Sequence, residues 1–132
     1  MINSNAYDYI NLLDRTADAS WTRNEVIGNN IANVNTPGYK RQDIDFENQL
    51  RQALGDSRYI TMDAKVKKAN KSDLRPRVYL DHVNYSYRLD GNNVDIDTEN
   101  VELAANQLKY QGIITSLTSE FNNLQAAMRG GT

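Results

Sequence analysis

The sequence contains no cysteine, so neither a disulfide nor a thiolate metal site is available to hold it together, and the redox compartment stays open. It has a single histidine, His82, set among polar residues. That excludes an imidazole ligand set, and no serine triad with a matched cluster is visible. Long apolar runs are also missing: no stretch approaches the ~18 residues of a membrane span, so membrane insertion is not expected. The N-terminus lacks a basic leader before an apolar run and carries Asp8 and Asp14, which argues against a cleavable signal peptide. With 39% hydrophobic residues in 132 and a mean hydropathy of -0.70, there is limited material for a large core. No convergent cluster of titratable groups stands out, so neither an enzyme nor a cofactor is expected.

A metal is not expected either. Asp90, Asp95, Asp97 and Glu99 are close in sequence, but an EF-hand loop needs glycine at its sixth position, and Asp95 stands there. The plainer reading is a turn followed by acids near a helix start. Charge is unevenly spread: residues 57–89 carry eight basic and three acidic groups, whereas residues 1–35 carry two and four, and residues 90–132 two and six. The basic run of Lys65, Lys67, Lys68, Lys71, Arg75 and Arg77 is flanked by few aromatics in an acidic protein, so it reads as a solvated loop and not as a nucleic-acid surface.

What the sequence does have is helical periodicity at both ends. Steps of four and three from Ala6 pass through Ile10, Leu13, Ala17, Ser20, Asn24, Ile27, Ile31 and Val34, a heptad-like seam with two polar positions that could set register. A second seam runs Leu103, Gln107, Tyr110, Ile114, Leu117, Phe121, Leu124 and Met128, in a helix capped by Asp97 or Thr98. Val101, Ala105, Leu108 and Ile113 add apolar area beside it, more than one partner helix would cover. Between the helices, Asp45 to Leu54 reads as a short helix and Gly55 to Leu74 as a polar loop. Val78 to Leu89, Asp90-Gly91, Val94 and Ile96 read as a short hairpin. The expected fold is mainly α, with 1–35 and 97–132 forming a coiled-coil-like domain and 36–96 a polar middle region.

The first helix ends in the block Asn29-Asn30-Ile31-Ala32-Asn33-Val34-Asn35-Thr36-Pro37-Gly38-Tyr39. Pro37 disfavours helix at Thr36, and Pro37-Gly38 can supply the fixed and permissive φ of a type II turn, so the helix should stop near Asn35. On pattern alone this is a helix end plus a turn. The block through Arg41, with Arg23 before it and Phe46-Glu47 after it, resembles the N-terminal signature of the bacterial flagellar rod and hook proteins. Residues 90–111 are similar to the C-terminal block of that family's proximal rod member.

That resemblance implies a structural subunit of the basal-body rod, exported through the flagellum's own type III apparatus and located in the cell envelope. It implies terminal helices that pack as a coiled coil, with other copies, other rod proteins, the export gate and MS-ring adaptor proteins as partners. Asn29, Asn30, Ile31, Ala32, Asn33, Asn35, Thr36, Pro37, Gly38 and Tyr39 are the candidate assembly motif. Ile10, Leu13, Ile27, Val34, Leu103, Tyr110, Ile114, Leu117, Phe121 and Leu124 are the candidate packing positions. The competing reading is a soluble helical export adaptor or binding protein that pairs with one partner.

Overall fold

The computed structural model describes residues 5–82 and 88–130. The order is α1 (Asn5–Ala32), β1 (Gln42–Ile44), α2 (Phe46–Leu54), α3 (Met62–Lys71), β2 (Val78–Leu80) and α4 (Ile96–Arg129). The fold is mainly α, with long helices at both ends and a small antiparallel ladder in the middle, as the periodicity predicts. Helices α1 and α4 run antiparallel, since Asn30 bonds to Glu99 while the earlier Ser20 bonds to the later Asn106. Among the described residues no helix is long and apolar enough to cross a membrane.

The seam between α1 and α4 differs from the expected one by a single step. Asn106 is buried, donating to the Ser20 carbonyl at 2.8 Å and to Asn24 Oδ1 at 2.8 Å. Ile113 is half-buried, whereas Gln107, Ile114 and Phe121 are exposed. A polar residue therefore takes the inward position beside the two polar residues of α1. An apolar side chain there would leave Ser20 and Asn24 facing it without partners. Position 107 turns out to solvent as a result.

The segment expected to be a loop contains α3. Thr61 caps it, its hydroxyl accepting from the Ala64 amide at 3.3 Å, and Val66 and Ala69 are buried on one face. Its far end is closed from outside: the Arg15 guanidinium donates to the carbonyls of Asn70, Ser72 and Leu74 at 3.2, 3.1 and 2.8 Å. A cation over a helix C-terminus satisfies orphan carbonyls and opposes the negative end of the dipole. Asn70 in turn donates to the Asp8 carbonyl at 2.7 Å. One buried turn among four lysines gives little periodicity, because the stabilisation comes from α1.

Helices α1, α2 and α3 enclose a small core of Leu12, Ala19, Phe46, Val66, Ala69 and Leu74, with Tyr9, Ile44, Leu50, Ala53 and Leu54 around it. The short helix starts at Phe46, one residue after its expected start at Asp45.

The strands are also placed differently. β1 pairs with β2 in the register Gln42↔Leu80, Asp43↔Tyr79, Ile44↔Val78, so α2 and α3 lie between the two strands in sequence. Asp90-Gly91 does turn, with Gly91 at φ 75° and its amide bonded to the Arg88 carbonyl at 3.1 Å. Val94 and Ile96 form no strand, and Val83, Tyr85 and Tyr87 lie outside the described residues. The buried Asn92 explains this. Its Oδ1 accepts from the Val94 amide at 2.8 Å, a local turn in place of a ladder. Asp95 then caps α4, accepting from the amides of Asp97 and Thr98, ahead of the expected caps.

The α3 packing makes a direct prediction. Val66→Ala removes two buried methyl groups and should cost about 2 kcal/mol, while the exposed Lys67→Ala should stay within about 0.5 kcal/mol. Urea unfolding followed by far-ultraviolet circular dichroism distinguishes them, and equal midpoints would contradict the placement of α3.

Candidate functional site: the joint between the two signature blocks

The turn after α1 forms as its residues dictate. The Tyr39 amide bonds to the Thr36 carbonyl at 3.2 Å, and Gly38 takes φ 73° at the position where a type II turn needs a positive value. Helix α1 itself ends at Ala32, three residues before the expected stop, as the chain tightens through Asn33 and Val34. The Asn33 side chain donates to the Asn29 carbonyl at 2.8 Å, and Thr36 donates to Asn33 Oδ1 at 3.1 Å. The orphan carbonyls are taken up by the C-terminal block: the Asn92 amide lies 2.9, 3.0 and 2.9 Å from those of Asn33, Val34 and Thr36. Arg88 adds a bond to Val34 O at 2.8 Å. The Gly38 amide donates to the Asp90 carbonyl at 2.7 Å, and Lys40 reaches the Gly91 carbonyl.

One turn deeper, Asn30 is fully buried and satisfies every valence of its amide. Its nitrogen donates to the Gln42 carbonyl at 2.8 Å and to Glu99 Oε2 at 3.1 Å; its oxygen accepts from the Gln42 amide at 2.9 Å and from the Tyr39 hydroxyl at 3.2 Å. Asn30 thus pairs with Gln42 as a neighbouring strand would. Glu99, also fully buried, is held on its other oxygen by Arg41 Nε.

Arg41 and Arg23 bind the remaining carboxylates. Arg41 spreads its three nitrogens over Glu99, Asp81 at 3.0 Å and Asp43 at 3.0 Å. Arg23 grips Asp43 with two nitrogens at 2.9 and 3.1 Å and reaches Glu102 on α4 at 2.9 Å. Asn93 joins in, accepting from the Arg41 amide at 2.6 Å and donating to the Asp81 carbonyl at 2.8 Å. Burial raises the Asp43 pKa, but the Arg23 fork, the Ile44 amide and Arg41 outweigh it and hold the carboxyl below its ordinary value. Arg23 is held further above its usual range, chiefly by its bond to Asp43. For Arg41, desolvation is opposed and exceeded by Glu99 and Asp43, with the same net direction. Burial, with Glu99 nearby, pushes the Tyr39 hydroxyl up.

Of the candidate motif residues, Asn30 and Tyr39 enter this network, and Asn33, Thr36 and Gly38 build the turn beside it. Ile31 is half-buried, and Asn29, Ala32, Asn35 and Pro37 are exposed. Of the candidate packing positions, Ile10 and Ile27 are buried; Leu13, Val34, Leu103, Tyr110, Leu117 and Leu124 are half-buried; Ile114 and Phe121 are exposed. Tyr110 packs on Trp21 with ring centroids 5.9 Å apart. The residues that sequence reasoning missed are Arg41, Asp43, Asp81, Asn92 and the buried role of Glu99. A glutamate in a first helical turn ordinarily complements the dipole at the surface. The available signal was charge inside both blocks, with Arg41 closing one and Glu99 opening the helix of the other.

Each charged side chain of this arrangement is bonded to a partner from another segment of the chain. The arrangement is a joint. Among the described residues no group of histidines and acids could hold a metal.

The N-terminal side of this joint lies within a segment that matches a known family. A family model described as flagella basal body rod protein matches residues 17–40, the stretch that supplies Arg23, Asn30 and Tyr39. The flagellar basal body rod protein FlgB of Bacillus subtilis strain 168 is 36% identical, over 83% of this chain and 84% of its own. FlgB of Salmonella typhimurium LT2 is 34% identical over 83% and 84%, and that of Borrelia hermsii 34% over 89% and 87%. The chain belongs to the FlgB family of flagellar basal body rod proteins. As a FlgB-family protein it is a structural component of the basal-body rod and not an enzyme, and the one-to-one adaptor reading is not favoured.

Two predictions follow from the joint of this FlgB-family chain. Asn30→Asp keeps the shape but removes both donors and sets a second carboxylate beside Glu99. It should cost about 3–5 kcal/mol in urea unfolding, the range for an uncompensated buried charge; a loss under 1 kcal/mol would contradict the geometry. For Asp43 the folded pKa is lowered, so its stabilising contribution is present above the unfolded value near 3.8 and is lost as pH falls through the folded value. Urea midpoints taken downward from about pH 5 should therefore fall, and Asp43→Asn should flatten part of that acid limb.

Proposed function

We propose that this rod component polymerises through its terminal helices in the proximal rod, linking the export gate and MS ring to the distal rod. Residues 1–35 and 97–132 form the assembling core and 36–96 the region that fixes its angle. Its partners are other copies of itself, other rod proteins, the export gate and MS-ring adaptor proteins, and it travels through the flagellar export apparatus. The candidate motif from Asn29 to Tyr39 sets the geometry of the subunit, and the helix seams carry the contacts between subunits.

One observation supports this most directly. Helix α4 has 34 residues but buries only Glu99 and Asn106. Val101, Leu108, Phe121 and Met128 are 68%, 70%, 52% and 58% exposed along its length. Large apolar side chains left exposed on two sides of one helix, Val101 with Leu108 and Phe121 with Met128, mark contact sites for more than one neighbour. When a surface meets a different one on the next copy, the contact generates an open helical stack and not a closed dimer.

The test is a strain lacking the gene, complemented with Leu108→Glu and with Phe121→Glu. Both side chains are exposed, so the folded chain should lose no more than about 0.5 kcal/mol. Basal bodies isolated from these strains should lack rods by electron microscopy while the variant proteins are still secreted. Normal rods in both strains would exclude α4 as the assembling surface.

A further inference from the structure

The rod reading leaves two strongly charged faces without an assigned role. Helix α3 presents Lys67, Lys68 and Lys71 on the side opposite its buried Val66 and Ala69, and all three are exposed with no ion pair among the described residues. Arg75 and Arg77 follow, sharing the one acid Asp73 at 2.7 and 3.6 Å. The outer stripe of α1 carries Asp14, Asp18 and Glu25, also exposed and without ion pairs among the described residues, with Tyr7 half exposed two turns before them and Trp21, one side of it against Tyr110, half exposed among them. Its three carboxylates bond to neither α4 nor the α2–α3 core among the described residues. The two faces cannot meet within one chain.

Each face also holds a like-charge pair at the spacing that disfavours an isolated helix: Lys67 with Lys71, and Asp14 with Asp18. Residues four apart rise about 6 Å along a helix, so the two pairs match in length. Opposed, they would turn two repulsions into two attractions. The exposed Trp21 and Tyr7 rings offer lysine ammonium groups a further favourable surface beside the carboxylates.

Resting on the rod reading above, we propose that the basic face of α3 in one copy docks on the acidic outer stripe of α1 in the next copy. The partner is a second copy of this chain because the complementary charges are both its own. The contact is heterologous, since α3 meets α1 and not α3, and therefore propagates. It sets the lateral register of subunits, while the exposed apolar side chains of α4 supply the adhesion. Charge complementarity of this kind acts on encounter and register and weakens with salt.

The test uses the full chain in three forms: Lys67→Glu with Lys71→Glu, Asp14→Lys with Asp18→Lys, and all four changes together. Assembly of purified protein is followed by light scattering over a concentration series at low and high salt, and rods are counted in complemented cells. Each double reversal should raise the concentration needed for assembly roughly ten-fold at low salt, and the four-fold swap should restore it. Circular dichroism keeps misfolding separate from loss of contact. Reversals that assemble like the unchanged chain, or a swap that fails to restore assembly, overturn the proposal. Failure of the unchanged chain to assemble or to complement the deletion would instead overturn the rod reading itself.

Discussion

The carboxylate of Glu99 is fully buried, and the rest of the junction follows from the need to hold it there. A charge removed from water at that depth loses several kcal/mol of hydration, which only close donors can offset. Two of them come from the N-terminal block, the Asn30 amide and Arg41 Nε. Arg41 brings the same problem with opposite sign, and Asp43 and Asp81 answer it; Asp43 in turn is gripped by Arg23 on α1. A chain of obligations thus runs from α1 through β1 and the loop after β2 to the first turn of α4. Breaking any one member leaves a buried charge exposed to its neighbours without compensation, so the four segments have a single arrangement that suits them all.

Such a network is a poor device for raising stability and a good one for fixing geometry. An apolar core of the same volume would tolerate small rotations of α4 against α1. The network does not, because the Arg23 fork fixes that guanidinium against Asp43 while its bond to Glu102, and the bonds of Asn30 and Arg41 to Glu99, tie α4 to the same frame. In the proposed assembly, where the helices present the same angle in every copy, that rigidity is the useful property. The turn residues serve it too: Gly38 and Gly91 both take a positive φ and lie against each other, which brings the two blocks into backbone contact.

The long helices, the Pro37-Gly38 turn and the short helix before Leu54 were legible because each is announced locally, by periodicity or by the conformational limits of proline and glycine. The cap of α4, the location of the strands and the whole of α3 were not. Helix α3 is held by Arg15 and Asp8, more than fifty residues away in sequence, and its own sequence offers only Val66 and Ala69. The shift from Gln107 to Asn106 in the α4 seam has a related cause. A heptad count favours whichever frame holds most apolar residues. The chain instead places an asparagine where two polar side chains of α1 already wait. Glu99 was visible as a helix-start acid, but its burial depends on Arg41 and Asn30, and no local rule couples them.

The exposed face of α4 can be understood from the same accounting of partners. At roughly 1.5 Å per residue α4 is about 51 Å long and α1 about 42 Å, and their antiparallel pairing near Glu99 leaves the last turn of α4 beyond the start of α1. One shorter helix cannot cover it. Between Tyr110 and Met128 the only charge is Glu120. The hydroxyls of Thr115, Ser116, Thr118 and Ser119 all donate back to carbonyls four residues earlier within α4. Burying such hydroxyls strands no donor, so a neighbouring helix can cover them without the desolvation penalty that free hydroxyls would impose. The two ends of α4 are therefore opposites. The first turns are polar, saturated with partners from their own chain and geometrically fixed, whereas the later turns carry a single charge, hydroxyls satisfied within the helix, exposed amides and apolar side chains. In the proposed assembly, a subunit with its rigidity at one end of a helix and its adhesion along the remainder hands each incoming neighbour a surface whose direction has already been set.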